Sequence, residues 1–209
     1  MHYISQSERG LKHISFLRRI FLKQLTGKLE LQFSTEHQET LFFHQGRFLG
    51  DTKSILPILR DCLSKPVAKF AWEATTAKEK TSGWVAPWIA LSEALRDLPI
   101  NSQRLILYHH VFSNLPPMVL KNCPIHRMDF ADADAYLVLY QLSLGAPSFD
   151  PKIFFLGNLN KDDLTKHVRT MLLVFLLGYL RPAPKKEEKD KNINVVSRIL
   201  KRFKAKGAA

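Results

Sequence analysis

The chain has 209 residues, 45% of them hydrophobic and 11% aromatic, enough apolar matter for a packed core and outside the range of disordered chains. Its net charge of +12 is uneven: from Arg181 onward ten basic side chains face three acidic ones, so this stretch supplies +7 of the total. Cys62 and Cys123 are too few for a disulfide framework or a cysteine-built zinc site, and the longest apolar run, 171–177, is far short of the roughly 20 residues of a membrane span.

The opening MHYISQSERG lacks the layout of a secretory signal, so a reduced, cytoplasmic protein is expected. Leu11, Ile14, Leu17, Phe21 and Leu25 then recur at helical spacing, with Lys12, Arg18, Arg19 and Lys23 largely on other faces. At 28–33 the period changes to two, which predicts a strand with one buried face. A polar turn at 34–38 leads to a second strand at 40–43.

The stretch TLFFHQGRFLGD (40–51) poses a choice between a phosphate-cradling loop and the corner of a sheet. A phosphate loop needs several glycines opening directly into a helix, and a dinucleotide fingerprint needs G-x-G-x-x-G. Neither spacing is present. Gln45-Gly46 is therefore read as a two-residue hairpin turn, with Gly46 supplying a positive φ and the next strand starting at Arg47.

Further along, Ser54 is positioned to cap a helix through Ile55, Ile58, Leu59 and Leu63, with Pro57 in its first turn and Pro66 ending it. Residues 67–72 alternate again, a fourth strand. A polar loop (75–83) follows, then a helix with Trp88, Leu91, Leu95 and Leu98 on one stripe. Residues 102–112 read as helical, and Leu115-Pro116-Pro117 as a connection. From Asp129 the pattern is helical throughout: one helix after Asp132 or Asp134, a short apolar segment at 153–156, and a helix at 162–177 capped by Asn160 and closed by Gly178. An extended exit at Tyr179-Leu180 completes a winged-helix-like order.

Residues 182–191 (PAPKKEEKDK) form a charged linker. Beyond it Ile193, Val196, Ile199, Leu200 and Phe203 share one helical face, with Arg198, Lys201, Arg202 and Lys204 mostly on the other, an amphipathic basic tail helix. The expected architecture is α+β: a small antiparallel sheet of about four strands packed with helices (1–100), a mostly helical winged-helix-like domain (101–181), the linker (182–191) and the tail (192–209).

The succession of a leading helix, Leu25-Thr26-Gly27-Lys28-Leu29-Glu30-Leu31, then Leu41-Phe42-Phe43-His44-Gln45-Gly46-Arg47-Phe48-Leu49-Gly50-Asp51, a helix, and Phe70-Ala71-Trp72-Glu73 resembles the bacterial PATAN domain. That family's pattern runs "t-G-x-L-x-l", "l-x-F-x-x-G-x-i" and a later Phe-containing strand. Leu91-Ser92-Glu93-Ala94-Leu95-Arg96-Asp97-Leu98-Pro99 is similar to its following helix, and 129–180 to the divergent winged-helix segment that often comes next. The resemblance implies a protein-interaction module of bacterial signalling, linked with cell polarity and surface motility. It implies structural turn roles for Gly27 and Gly46 and no catalytic residues or cofactor.

The residues themselves carry no catalytic set. His109 and His110 are adjacent, so on a helix their rings diverge by about 100° and cannot easily share a metal, even with Cys123 and His126 near in sequence. Glu36, Glu39 and Glu73 have no His or Ser partner pattern, Asp162-Asp163 marks a helix start, and Cys62 lies on an apolar stripe. No enzyme, metal or cofactor is expected. The rival to an adaptor is a DNA-binding regulator, which a winged helix and a basic tail would suit. Its candidate recognition helix offers Lys161, Lys166, His167 and Arg169 but turns apolar at 171–177. The expected partners are bacterial signalling or motility proteins, with an anionic membrane surface or nucleic acid as further targets of the tail residues Ile193, Val196, Arg198, Ile199, Leu200, Lys201, Arg202, Phe203 and Lys204.

Overall fold

The computed structural model describes residues 11–75, 83–96, 98–120, 148, 150–155 and 160–183. Helix α1 (Lys12–Lys23) buries Ile14, Leu17 and Ile20. It ends on Gln24, which takes the left-handed conformation (φ 51°), and Leu25 N–H closes back on Ile20 O at 3.0 Å. Strands β1 (Gly27–Gln32), β2 (Gln38–His44) and β3 (Arg47–Leu49) follow as an antiparallel meander. Helix α2 (Thr52–Ser64) carries the chain to the opposite edge of the sheet, where β4 (Lys69–Ala74) pairs with β1. Strand β5 (Trp84–Val85) adds to β3, giving the order β4-β1-β2-β3-β5, antiparallel throughout.

The α+β class is as the alternating periods predict, with five strands in the sheet where four were expected. The extra strand has two residues, too short to show a period. Helix α2 starts three residues before the expected Ser54: its cap is Asp51, whose Oδ1 accepts from Ser54 N–H at 2.8 Å, while the Ser54 hydroxyl donates to Asp51 O. Pro57 therefore sits inside the helix, not in its first turn.

Helices α3 (Pro87–Arg96) and α4 (Ser102–Ser113), strand β6 (Met118–Leu120), the short α5 (Pro151–Phe154), helix α6 (Lys161–Leu176) and strand β7 (Leu180–Pro182) complete the described chain. Asn160 caps α6 by accepting from Asp163 N–H at 2.9 Å. The Pro-Pro connection runs straight into β6, which pairs antiparallel with β7 in a two-stranded sheet. The helix expected after Asp132 or Asp134, the tail, and the expected linker beyond residue 183 lie outside the described residues. The first two residues of that linker belong to the fold instead, because Pro182 pairs with Met118 at the end of β7 and Ala183 N–H donates to Pro117 O.

One face of the large sheet is packed. Phe16 meets Phe70 and Trp72, and Phe21 meets Phe48 and Phe43, so α1 lies against the inner faces of Leu29, Leu31, Phe43 and Phe48. The apolar run of α6 buries Met171, Leu172, Val174 and Leu176. A single cluster of buried side chains joins Leu11 to Leu180, crossing the boundary expected at residue 100.

Candidate functional site

The other face of the sheet is where the described surface departs from an ordinary one. In β1 the alternation buries Gly27, Leu29 and Leu31 and turns Lys28, Glu30 and Gln32 outward. Lys28 stands across from Phe42 on β2 and from Glu73 on β4. The β2–β3 register, Phe43 to Phe48 and His44 to Arg47, sets Phe42 toward Leu49, and Leu49 pairs with Trp84 on β5. One row, Glu73, Lys28, Phe42, Leu49, Trp84, thus crosses all five strands.

The two ends of that row differ. At one end Lys28 Nζ is 2.9 Å from Glu73 and 3.0 Å from Glu30. The Glu73 hydrogen bond first, then that of Glu30, raises the Lys28 pKa above the usual lysine range. At the other end Phe42 is 42% and Trp84 49% exposed, with the His44 ring edge-on to Trp84 at 4.5 Å. Phe42 lies on the central strand, where an aromatic ring has no local reason to be wet. Arg47, exposed beside His44, places a positive charge on the border. The ion pairs neutralise one half and leave the apolar half as the part that gains by being covered.

A second polar group lies deep in the core. His13 of α1, 2% exposed, has Nε2 3.1 Å from both Cys62 O and Arg104 Nη2. The nitrogen accepts from Arg104 in one tautomer and donates to Cys62 O in the other, never both at once. Burial first, then the Arg104 charge, lowers its pKa to about 4, against the raising effect of the Cys62 carbonyl. Tyr108 donates to Leu63 O at 2.6 Å, and burial pushes the Cys62 thiol up to about 12, which keeps it un-ionised and unreactive. This group ties α1, α2 and α4 together and does not open onto the sheet face.

Of the residues singled out in the sequence, Gly46 is the second turn residue between β2 and β3, at φ +73° after Gln45 at +49°. Gly27 is not in a turn: it opens β1 between Phe43 and Ala74, where a Cβ would strike the carbonyl oxygen of Glu73. His109 packs on Phe155 (5.3 Å) and His110 is exposed, so the two rings serve separate surroundings. Among the described residues no group of three His, Cys, Asp or Glu side chains could hold a metal ion. No described helix is long and apolar enough to cross a membrane. Cys123, His126 and the tail residues Ile193 to Lys204 lie outside the described residues.

The exposed row went unseen in the sequence, although one signal was there. Phe42 and Phe43 are neighbours in one strand and must point to opposite faces. Comparison with known proteins adds no relative: no protein-family model, curated protein or solved structure matches this chain.

Proposed function

We propose that this protein is a non-enzymatic, cytoplasmic interaction adaptor of a bacterial signalling system, of the kind that regulates polarity or surface motility. The bacterial signalling context rests on the resemblance of 11–99 to PATAN domains. The single observation that carries the interaction role is the apolar row Phe42, Leu49, Trp84 on the middle and far strands, its two aromatic rings exposed and Leu49 half-buried between them. Its occupant is a partner protein with apolar side chains inside an acidic rim. Aromatic anchors dominate binding when fully desolvated, and the exposed Arg47 on the border favours acidic side chains around them. The basic side chains of the tail (Arg198, Lys201, Arg202, Lys204) add to that attraction.

The burial of Met171, Leu172, Leu173, Val174 and Leu176 in α6 argues against the DNA-binding alternative, because most of the helix that would read a groove is spent on the core. Photo-crosslinking in the native cell, followed by reconstitution with the purified partner, tests the proposal. Phe42→Ser with Trp84→Ser should weaken binding at least tenfold and lower the melting temperature by no more than a few degrees, since both rings lie outside the buried core. Undiminished binding by that variant, or a sequence motif enriched by the full chain from a random duplex library, would overturn the adaptor role.

A further inference from the structure

A groove of about 380 Å³ opens on the helical side of the molecule, away from the sheet face. It is lined by Leu11 at the start of α1 and Ile14 within it, by Val111 and Phe112 of α4 with Leu115 just beyond, and by Phe175 of α6. Lys12 stands on its rim. We propose that this groove is the docking site of the chain's own C-terminal segment, residues 192–206, which lays the stripe Ile193, Val196, Ile199, Leu200 and Phe203 into it.

The first support is where the described chain stops. Ala183 N–H donates to Pro117 O at 2.8 Å, two residues from Leu115, so the tail is rooted at the mouth of the groove. The eight residues 184–191 span up to about 27 Å when extended, enough to bring residue 193 back along it. The second support is pattern. A 15-residue helix is marginal alone in water, and five large apolar side chains on one face need a surface to cover them. The groove supplies one, with room for the side chains of Leu200 and Phe203.

Tethering then favours this occupant over an external one. A short flexible linker gives an effective concentration in the millimolar range, so even a weak site is substantially filled. In the docked state Arg198, Lys201, Arg202 and Lys204 face water. Their charges remain available to an acidic partner while the stripe stays withheld from membranes and from other chains. This inference does not rest on the sheet-face adaptor role and uses none of the sheet-face residues.

Lysine cross-linking of the full chain, read by mass spectrometry on an equal mixture of isotopically light and heavy protein, is the test. Links from Lys12 to Lys201 and Lys204 should form within one chain. They should exceed links from Lys28, on the far side of the sheet, by about tenfold. Leu200→Ser with Phe203→Ser should remove them, speed hydrogen exchange over 108–115 and lower the melting temperature. Three results would each overturn the proposal: mixed light–heavy links (a second copy in the groove), Lys12 links to the N-terminal amine that persist as tail links fail (the N-terminal segment as occupant), or tail links unaffected by the double substitution.

Discussion

Gly46 and Gln45 share a turn in which both residues have positive φ, the arrangement that suits the right-handed twist of a two-residue hairpin. The turn is also docked: Gly46 N–H donates to Leu25 O at 2.9 Å and Gln45 N–H to the Thr26 hydroxyl at 3.0 Å. A Cβ on Gly46 would stand 3.2 Å from the carbonyl oxygens of Ile20 and Phe21. Left-handed strain and this crowding act together, so Gly46→Val is expected to cost about 2 kcal/mol or more. Urea denaturation checks it; an unchanged midpoint would mean that the turn does not constrain the residue. Gly27 is demanding for another reason. Three strands meet there, and the closeness of the Glu73 carbonyl leaves no space for any side chain.

At the scale of elements, two arginines hold α6 to the sheet-bearing half of the molecule. Arg18 of α1 donates from Nε to Phe175 O at 2.8 Å and from Nη2 to Leu180 O at 3.0 Å, with its guanidinium 4.6 Å over the Phe175 ring. Arg169 of α6 answers by donating to Arg96 O at the end of α3 and to Leu98 O just beyond it. Both guanidinium groups reach carbonyls at or beyond a helix end, and at Phe175 O the arginine adds to the turn bond from Gly178 N–H. Charged donors to carbonyls contribute more than neutral ones, so Arg18→Met should destabilise by about 2 kcal/mol. Arg18→Lys should recover less than half of that, because one ammonium cannot match the fork that reaches two carbonyls and stacks on a ring. Full recovery by lysine in chemical denaturation would show that charge alone, not geometry, matters here.

For the whole molecule, the His13 group couples three helices and makes their junction sensitive to acid. The folded pKa of about 4 lies below the ordinary value of 6.5, so the unfolded chain binds the proton more readily. Stability from the neutral, buried ring is fully present above pH 6.5 and is lost as pH falls through about 4. The loss is on the order of 3 kcal/mol by the lower end of that window. His13→Gln should be less stable than the parent at pH 7 and should lack this part of the acid slope. Parallel stability curves for the two proteins between pH 7 and 4 would mean that His13 is not the titrating group. Because one core runs from Leu11 to Leu180, loosening this junction should be felt on both sides of the boundary expected at residue 100.

Much of the local structure was legible in the chain itself. The two-residue period of 28–33, the Gln-Gly turn, the Asn160 cap and the stripe of α1 are set by interactions among near neighbours, which periodicity and capping chemistry report directly. The stripe expected in α3 is buried at Leu91 and Leu95 but not at Trp88, which is 47% exposed. Short pieces were not legible: β5 and β6 have two and three residues, and their existence depends on pairing with β3 and β7. The expected cap at Ser54 gave way to Asp51 because a helix start is decided by which side chain reaches a free N–H, not by where apolar residues begin. The candidate site belongs wholly to tertiary structure. Glu73, Lys28, Phe42, Leu49 and Trp84 become one row only through strand register, and His13 meets Arg104 across 91 positions of chain. Sequence by itself determined which side chains want burial and at what period. Only the folded chain decided which apolar side chains were left in water, because one side of a sheet can be covered only by elements the chain brings to it, and here the helices packed against the other.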